Sequence, residues 1–239
     1  MHKNLKRFYK KVEVLNERGR YVVALDGRIL KTPAKGDLSL PSKELASALA
    51  EEWDAQEDEV VPGSMAMMCL VSTALDNVAP NRDQVISQTA DYGAHDLLCY
   101  WADQDQPELR RRQAEAWQPL LDWAALELDA PLKTTSGIIP AEQPEGALAA
   151  LLNEVESLGD LELTGLAAAT RASGSLLIGL ALCKGQLDAG EAARLSQLDE
   201  VYQSELWGED KDALQRRRAL TQDLSDIERF LSLLTPPAR

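Results

Sequence analysis

Within the stretch DYGAHDLLCY, Asp91, His95 and Cys99 are side chains able to bind a metal and are spaced i, i+4 and i+8. On a helix that spacing would set them on adjacent turns. Zinc accepts carboxylate, imidazole and thiolate, so a small metal-dependent hydrolase is one chemistry open to the chain. Two features weigh against it. Each step of four residues drifts about 40° around an α-helix, and Cys99 sits in an apolar LLCY with no second ligand cluster elsewhere. His2, the other histidine, is terminal. A capping or partly buried role is the structural alternative for His95.

Other constellations give less. A phosphate-binding loop needs GxxxxGK followed by Ser or Thr, and the glycine-adjacent lysines, in AKGD and CKGQ, do not match. There is no GxSxG elbow, no HExxH and no GxGxxG after a strand. Neighbouring carboxylates such as Glu51 and Glu52 point about 100° apart on a helix, which suits a solvated face better than acid–base work. The residues therefore argue against an enzyme, and neither a metal nor a cofactor is expected.

The elements that would carry any site follow from periodicity. FYKKVEVLNE alternates at Val12 and Val14, Arg18-Gly19 reads as a turn, and YVVAL and RILKTP flank Asp26-Gly27, a strong hairpin signal. A third extended piece, LSLP, follows. Ser42 is a candidate N-cap for a helix in which Leu45, Leu49 and Trp53 recur every four residues and face the sheet. After VVPGS the pattern is helical throughout, punctuated at Pro80, Pro107, Pro131, Pro140 and Gly185, which predicts six or seven helices. The expected fold is α+β: a small β-rich N-terminal domain over residues 1–62 with one covering helix, then a larger all-helical domain over 63–239.

The run LTGLAAATRASGSLLIGLALC is the most apolar segment, but Arg171 interrupts it, and its charge-free part from Ala172 to Cys183 is twelve residues long. A span needs roughly 20. It reads as a central buried helix approached closely at Gly174 and Gly179, so no membrane insertion is expected. The 239 residues carry a net charge of −14, yet residues 1–35 hold ten Lys or Arg against three acids. Such an acidic chain repels phosphate backbones, so the arginine triplets at 110–112 and 216–218 read as solvated helix faces and no nucleic-acid partner is expected. Cys69, Cys99 and Cys183 are odd in number and widely spaced, as reduced core thiols would be. No apolar signal core follows the basic N-terminus.

That leaves surfaces. LDEVYQSELWGED, residues 198–210, carries five carboxylates, no basic residue, and two large aromatics, Tyr202 and Trp207. If it is helical, Leu195, Leu198, Tyr202 and Leu206 form a core stripe. Glu200, Gln203 and Trp207 then project together from another side, since seven residues return to within about 20° of one direction. Gly208 is placed to end the helix, with Glu209 beyond it. Trp207 has two readings: it packs beneath a neighbour such as the last helix, whose stripe is Leu220, Leu224, Ile227, Leu231 and Leu234, or it anchors a recognition patch.

RFYK at 7–10, LDGRILKTP at 25–33, LPSKELASALAEEWDAQ at 40–56, DLLCY at 96–100 and LDEVYQSELWG at 198–208 occur in order. Together they resemble the assembly chaperones for the α subunit of the F-type ATP synthase catalytic head. The resemblance implies a non-catalytic chaperone that holds a free α subunit until a β subunit replaces it. With no transit segment before RFYK, a bacterial, cytoplasmic member is expected, and a monomer. Glu200 falls on the acidic position the family uses functionally, and Trp53 on an EW position that matters for integrity. Asp199, Glu200, Gln203 and Trp207 are accordingly the expected partner-binding residues, and Trp53, Asp96 and Tyr202 the structural ones. A generic acidic adaptor is the remaining alternative.

Overall fold

The computed structural model describes residues 5–136, 140–208 and 210–234. The chain divides into two compact units, of which the first takes in residues 5–82, 160–164 and 229–234 and the second the remaining described residues.

In the first unit, strands β1 (Leu5–Lys6), β2 (Val12–Glu17), β3 (Arg20–Leu25) and β4 (Arg28–Ile29) precede helix α1 (Lys43–Asp54), strand β5 (Glu59–Val60) and helix α2 (Ala66–Thr73). β2, β3 and β4 form an antiparallel meander, and β1 pairs with β5. Both connections in the meander are two-residue turns, at Arg18-Gly19 and Asp26-Gly27. All four turn residues have positive φ, the twist a tight hairpin needs. LSLP contributes a single bridge, Leu40 to Tyr21, rather than a further strand. α1 lies against β2 and β3, with Leu45, Leu49 and Trp53 buried as the four-residue spacing predicts. Ser42 caps it: its Oγ accepts from the Leu45 N–H at 3.1 Å and donates to the Leu233 carbonyl at 2.6 Å.

The other end of α1 explains two of the motifs. Its last carbonyls need partners. Arg7 donates to the Asp54 carbonyl at 2.9 Å and to the Gln56 carbonyl, while the Tyr9 hydroxyl donates to the Trp53 carbonyl at 2.6 Å. Gln56 in turn accepts from the Val61 N–H at 2.7 Å, fixing the turn into β5. Glu52 is no solvated acid. Its two oxygens accept the Met67 and Met68 N–H groups at 2.7 and 2.9 Å, capping α2, which has no side-chain cap of its own.

This is why the first unit reaches to Arg82, beyond the sequence break at residue 62. α2 buries Met67, Met68 and Val71 in the same cluster as Leu45, Leu49 and Trp53. Phe230, fully buried, joins that cluster.

The second unit contains α3 (Arg82–Ala90, from Asp83 onward), β6 (Tyr100–Trp101), α4 (Pro107–Glu127), β7 (Thr135–Ser136), α5 (Glu145–Glu156), the greater part of α6 (Asp160–Ser173), α7 (Leu176–Cys183), α8 (Ala189–Ser196), α9 (Leu198–Trp207) and most of α10 (Lys211–Leu234). β6 and β7 pair in parallel. Nine α-helices thus lie beyond residue 62 among the described residues, where six or seven were expected.

The apolar run is the clearest case: it is two helices, α6 and α7, not one. Gly174 breaks it at φ +73°, a conformation glycine adopts without steric cost, and Ser175 starts α7 by accepting from the Ile178 N–H at 3.0 Å. Close approach is real at Gly179, where a Cβ would lie 2.6 Å from Thr170 Oγ1, but not at Gly174, where a Cβ would meet nothing within 4 Å. α7 is buried from Leu176 to Leu182, the central position its composition implies. No described helix is long and apolar enough to cross a membrane.

Candidate functional site

The Asp91–His95–Cys99 reading fails on geometry. These residues do not share an α-helix: two separate short 3-10 segments, Asp91–His95 and Leu97–Cys99, carry them, with an extended Asp96 between. The stacking on adjacent turns is therefore lost. His95 Nδ1 lies 3.2 Å from the Tyr100 hydroxyl. Cys99 is buried, and burial, aided by the Asp96 charge, pushes its thiol pKa up to about 12, far from a thiolate ligand. Among the described residues no group of three His, Cys, Asp or Glu is arranged to hold a metal. None of the three cysteines is in a disulfide, but only Cys99 is a core thiol; Cys183 is half-buried and Cys69 exposed.

Asp96 is instead a buried structural hub. It has no exposed surface, and its Oδ1 accepts the Leu98 N–H at 3.0 Å and the Ser175 hydroxyl at 2.7 Å. Its Oδ2 accepts the Leu177 N–H at 3.0 Å, so one carboxylate joins DLLCY to the start of α7. Burial raises its pKa against the opposing pull of these hydrogen bonds.

The arginines at 110–112 are each committed within the second unit. Arg110 donates to the Ala102 carbonyl and the Ser136 hydroxyl, both at 2.8 Å. Arg111 pairs with Glu108 and Glu115. Arg112 pairs with Glu108 at 3.0 Å and reaches Glu205 on α9 at 2.7 Å, with its guanidinium 5.2 Å from the Tyr202 ring centroid. Arg111 and Arg112 together hold the Glu108 carboxyl down to about 2.

These contacts mount α9 on α4. Gln113, almost fully buried, donates to Asp199 at 2.8 Å while accepting the Ala102 N–H at 2.7 Å. Trp117, also buried, donates its indole N–H to the Leu195 carbonyl at 3.0 Å. Asp199 therefore turns inward, half-buried, and burial raises its pKa. Tyr202 is half-buried beneath Arg112. α9 begins after Gln197, which supplies no side-chain cap, and ends at Gly208, φ +92°, whose N–H bonds the Ser204 carbonyl at 3.0 Å.

What α9 presents outward departs from the expected stripe. None of its residues is fully buried. Leu195 is buried but belongs to α8, and Leu206 is 58% exposed. Trp207 does not pack under a neighbour: it is 82% exposed, and its indole N–H donates to Gln203 Oε1 at 3.0 Å. Glu200 is exposed one turn earlier, and among the described residues its carboxylate makes no ion pair or hydrogen bond. Glu200, Gln203 and Trp207 therefore stand together in solvent, as their seven-residue span requires, while Asp199 does not share their exposure. Glu209 lies outside the described residues. Sequence reasoning missed Arg112 and Gln113. Their partners lie 93 and 86 positions away, so no local pattern marks them.

An acid without a partner among the described residues and an exposed tryptophan thus stand on a helix braced by α4, and comparison with known proteins places the chain among the assembly chaperones. Residues 6–125 match the model of the ATP12 chaperone protein family. The chain belongs to that family, the ATP synthase assembly chaperones. It is 42% identical to Atp12 from Paracoccus denitrificans, whose crystal structure it matches with a TM-score of 0.92 over 97% of this chain and 99% of that one. The Atu1473 protein of Agrobacterium tumefaciens matches at 38% identity and a TM-score of 0.90, over 96% of this chain and 86% of that one. The mitochondrial protein atp12 of Schizosaccharomyces pombe is 26% identical over 221 residues, 88% of this chain and 76% of the relative.

Proposed function

We propose that this protein is a non-catalytic, cytoplasmic chaperone of a bacterium that binds the free α subunit of the F-type ATP synthase as a monomer and yields it to a β subunit. The observation that carries the reading is the Glu200, Gln203 and Trp207 face: a large aromatic 82% exposed, oriented by Gln203, beside a carboxylate without a partner among the described residues. Exposed aromatic anchors are frequent centres of interface energy. An uncommitted acid selects a basic client group and speeds encounter more than it deepens affinity. Subunits of an alternating ring expose interfaces that self-associate when uncovered, which gives such a surface its purpose. The likeness to proteins of two bacteria supports the proposed compartment.

The test is Glu200→Lys, read by capture of purified α subunit and by thermal melting. Glu200 is exposed and its carboxylate makes no ion pair or hydrogen bond among the described residues, so folding stability should stay within about 0.5 kcal/mol of the parent. Reversing the charge against a basic client group should weaken capture at least tenfold, about 1.4 kcal/mol. Glu127→Lys, an exposed reversal at the end of α4, should bind like the parent. Unchanged capture by Glu200→Lys would remove this face from the client site.

A further inference from the structure

α4 and the pair α8–α9 enclose an open groove within the second unit. Pro119, Leu120 and Trp123 line it from α4, and Leu195, Leu198 and Val201 from the other side. Leu120 and Leu195 are buried and form the floor, while Val201 is 36% exposed on the rim. Three polar features belong to residues that line the groove. Pro119 lies inside α4 and has no N–H, so the Glu115 carbonyl one turn earlier lacks its helical donor. The Trp123 indole N–H makes no hydrogen bond among the described residues. Of the charges on the rim, Arg112 and Glu115 are held in ion pairs and Glu191 in the cap of α8, but Arg194 is exposed and without a side-chain partner among the described residues.

We infer that this groove seats an amphipathic helical segment of the client, with apolar residues at i, i+3 or i+4, and i+7 and a carboxylate placed to meet Arg194. Helix-in-groove recognition uses that pattern of anchors. The groove adjoins the Glu200 face through α9 itself, since Val201 follows Glu200. One client segment can then offer an acid to Arg194 and a base to Glu200, and this opposed pair of charges sets its direction. A second copy of this chain fits poorly, because two molecules of net charge −14 repel one another.

The inference rests on the proposed α-subunit client, and the test separates the two. Purified α subunit is titrated with the parent protein, Val201→Arg and Arg194→Glu, while melting temperature and mass by light scattering are recorded for each. Val201 is at the surface and arginine is the better helix former, so Val201→Arg should fold normally. The expected result is capture weakened at least tenfold by Val201→Arg and several-fold by Arg194→Glu, with melting temperatures unchanged. If the parent and both variants bind α subunit equally, the groove assignment is overturned and the chaperone reading stands. If the parent binds no α subunit, both fall together. A parent dimer that Val201→Arg converts to monomer would assign the groove to a second copy and overturn the inference.

Discussion

Trp53→Ala is expected to destabilise the protein by about 3–5 kcal/mol, the range for emptying a large aromatic site in a core. The ring is 8% exposed, packs edge-on to Tyr9 with centroids 5.5 Å apart, and closes the cluster formed by Leu45, Leu49 and Met67. The loss extends beyond volume, because Tyr9 donates to the carbonyl of this residue and Arg7 stacks on Tyr9 at 4.7 Å, so a collapsing cavity disturbs the cap of α1. Trp53→Phe gives a sharper comparison. The indole Nε1 is buried without a hydrogen-bond partner among the described residues, so phenylalanine retains most of the packing and removes an unsatisfied donor. Chemical denaturation of the three proteins should rank them parent and Trp53→Phe close together, Trp53→Ala far below. Equal midpoints for the parent and Trp53→Ala would mean the ring does not anchor α1.

Asp96→Ala should cost a comparable 3–5 kcal/mol, for a different reason. Removing the carboxylate leaves the Leu98 and Leu177 N–H groups and the Ser175 hydroxyl buried without their acceptor. Asp96→Asn tests the chemistry separately from the volume. An amide has one accepting oxygen, so its NH2 must face either the Leu177 donor or the Leu98 and Ser175 donors, and a loss of about 1–3 kcal/mol is expected. The raised pKa of Asp96 gives the parent a signature in acid. A folded-state pKa above the unfolded value means the folded protein takes up this proton first. As pH falls through the folded pKa, the group's contribution to stability rises, and it levels off below the unfolded value. The alanine variant should lack that increment in stability-versus-pH curves. An Asp96→Asn midpoint equal to the parent would show that the hub does not need its charge.

Local rules carried the N-terminal half. Asp26-Gly27 fixed a hairpin because few residues other than glycine, asparagine and aspartate accept positive φ, and Ser42 with the Leu45, Leu49 and Trp53 spacing fixed α1 and its buried face. The caps that make this unit cohere were not legible. Arg7 meets α1 from 47 positions away, and Glu52 caps α2 from 15 residues before it, where the sequence offers only an adjacent pair of acids.

In α9 the helical wheel placed Glu200, Gln203 and Trp207 together correctly, since rotation per residue is a local property. It could not say which stripe faced the core, because burial depends on what packs alongside. The break at Gln197 carries neither glycine nor proline, so Leu195 was read into a helix it does not join. Asp199, grouped by the sequence with the partner-binding residues, is instead half-buried and bonded to Gln113 on α4, a partner 86 positions away. Asp91, His95 and Cys99 were misaligned for a similar reason: Asp96, drawn inward by its three donors, bends the backbone that a continuous helix would have kept in phase.

The most direct test is to mix the purified protein with isolated α subunit and, separately, with the assembled catalytic head, and to identify and weigh each complex by size exclusion with light scattering. A chaperone displaced during assembly should form a one-to-one complex with free α subunit, release it on addition of β subunit, and leave the assembled head unbound. Equal binding to the free subunit and the complete head, or no complex with free α subunit at protein concentrations of tens of micromolar, would contradict it.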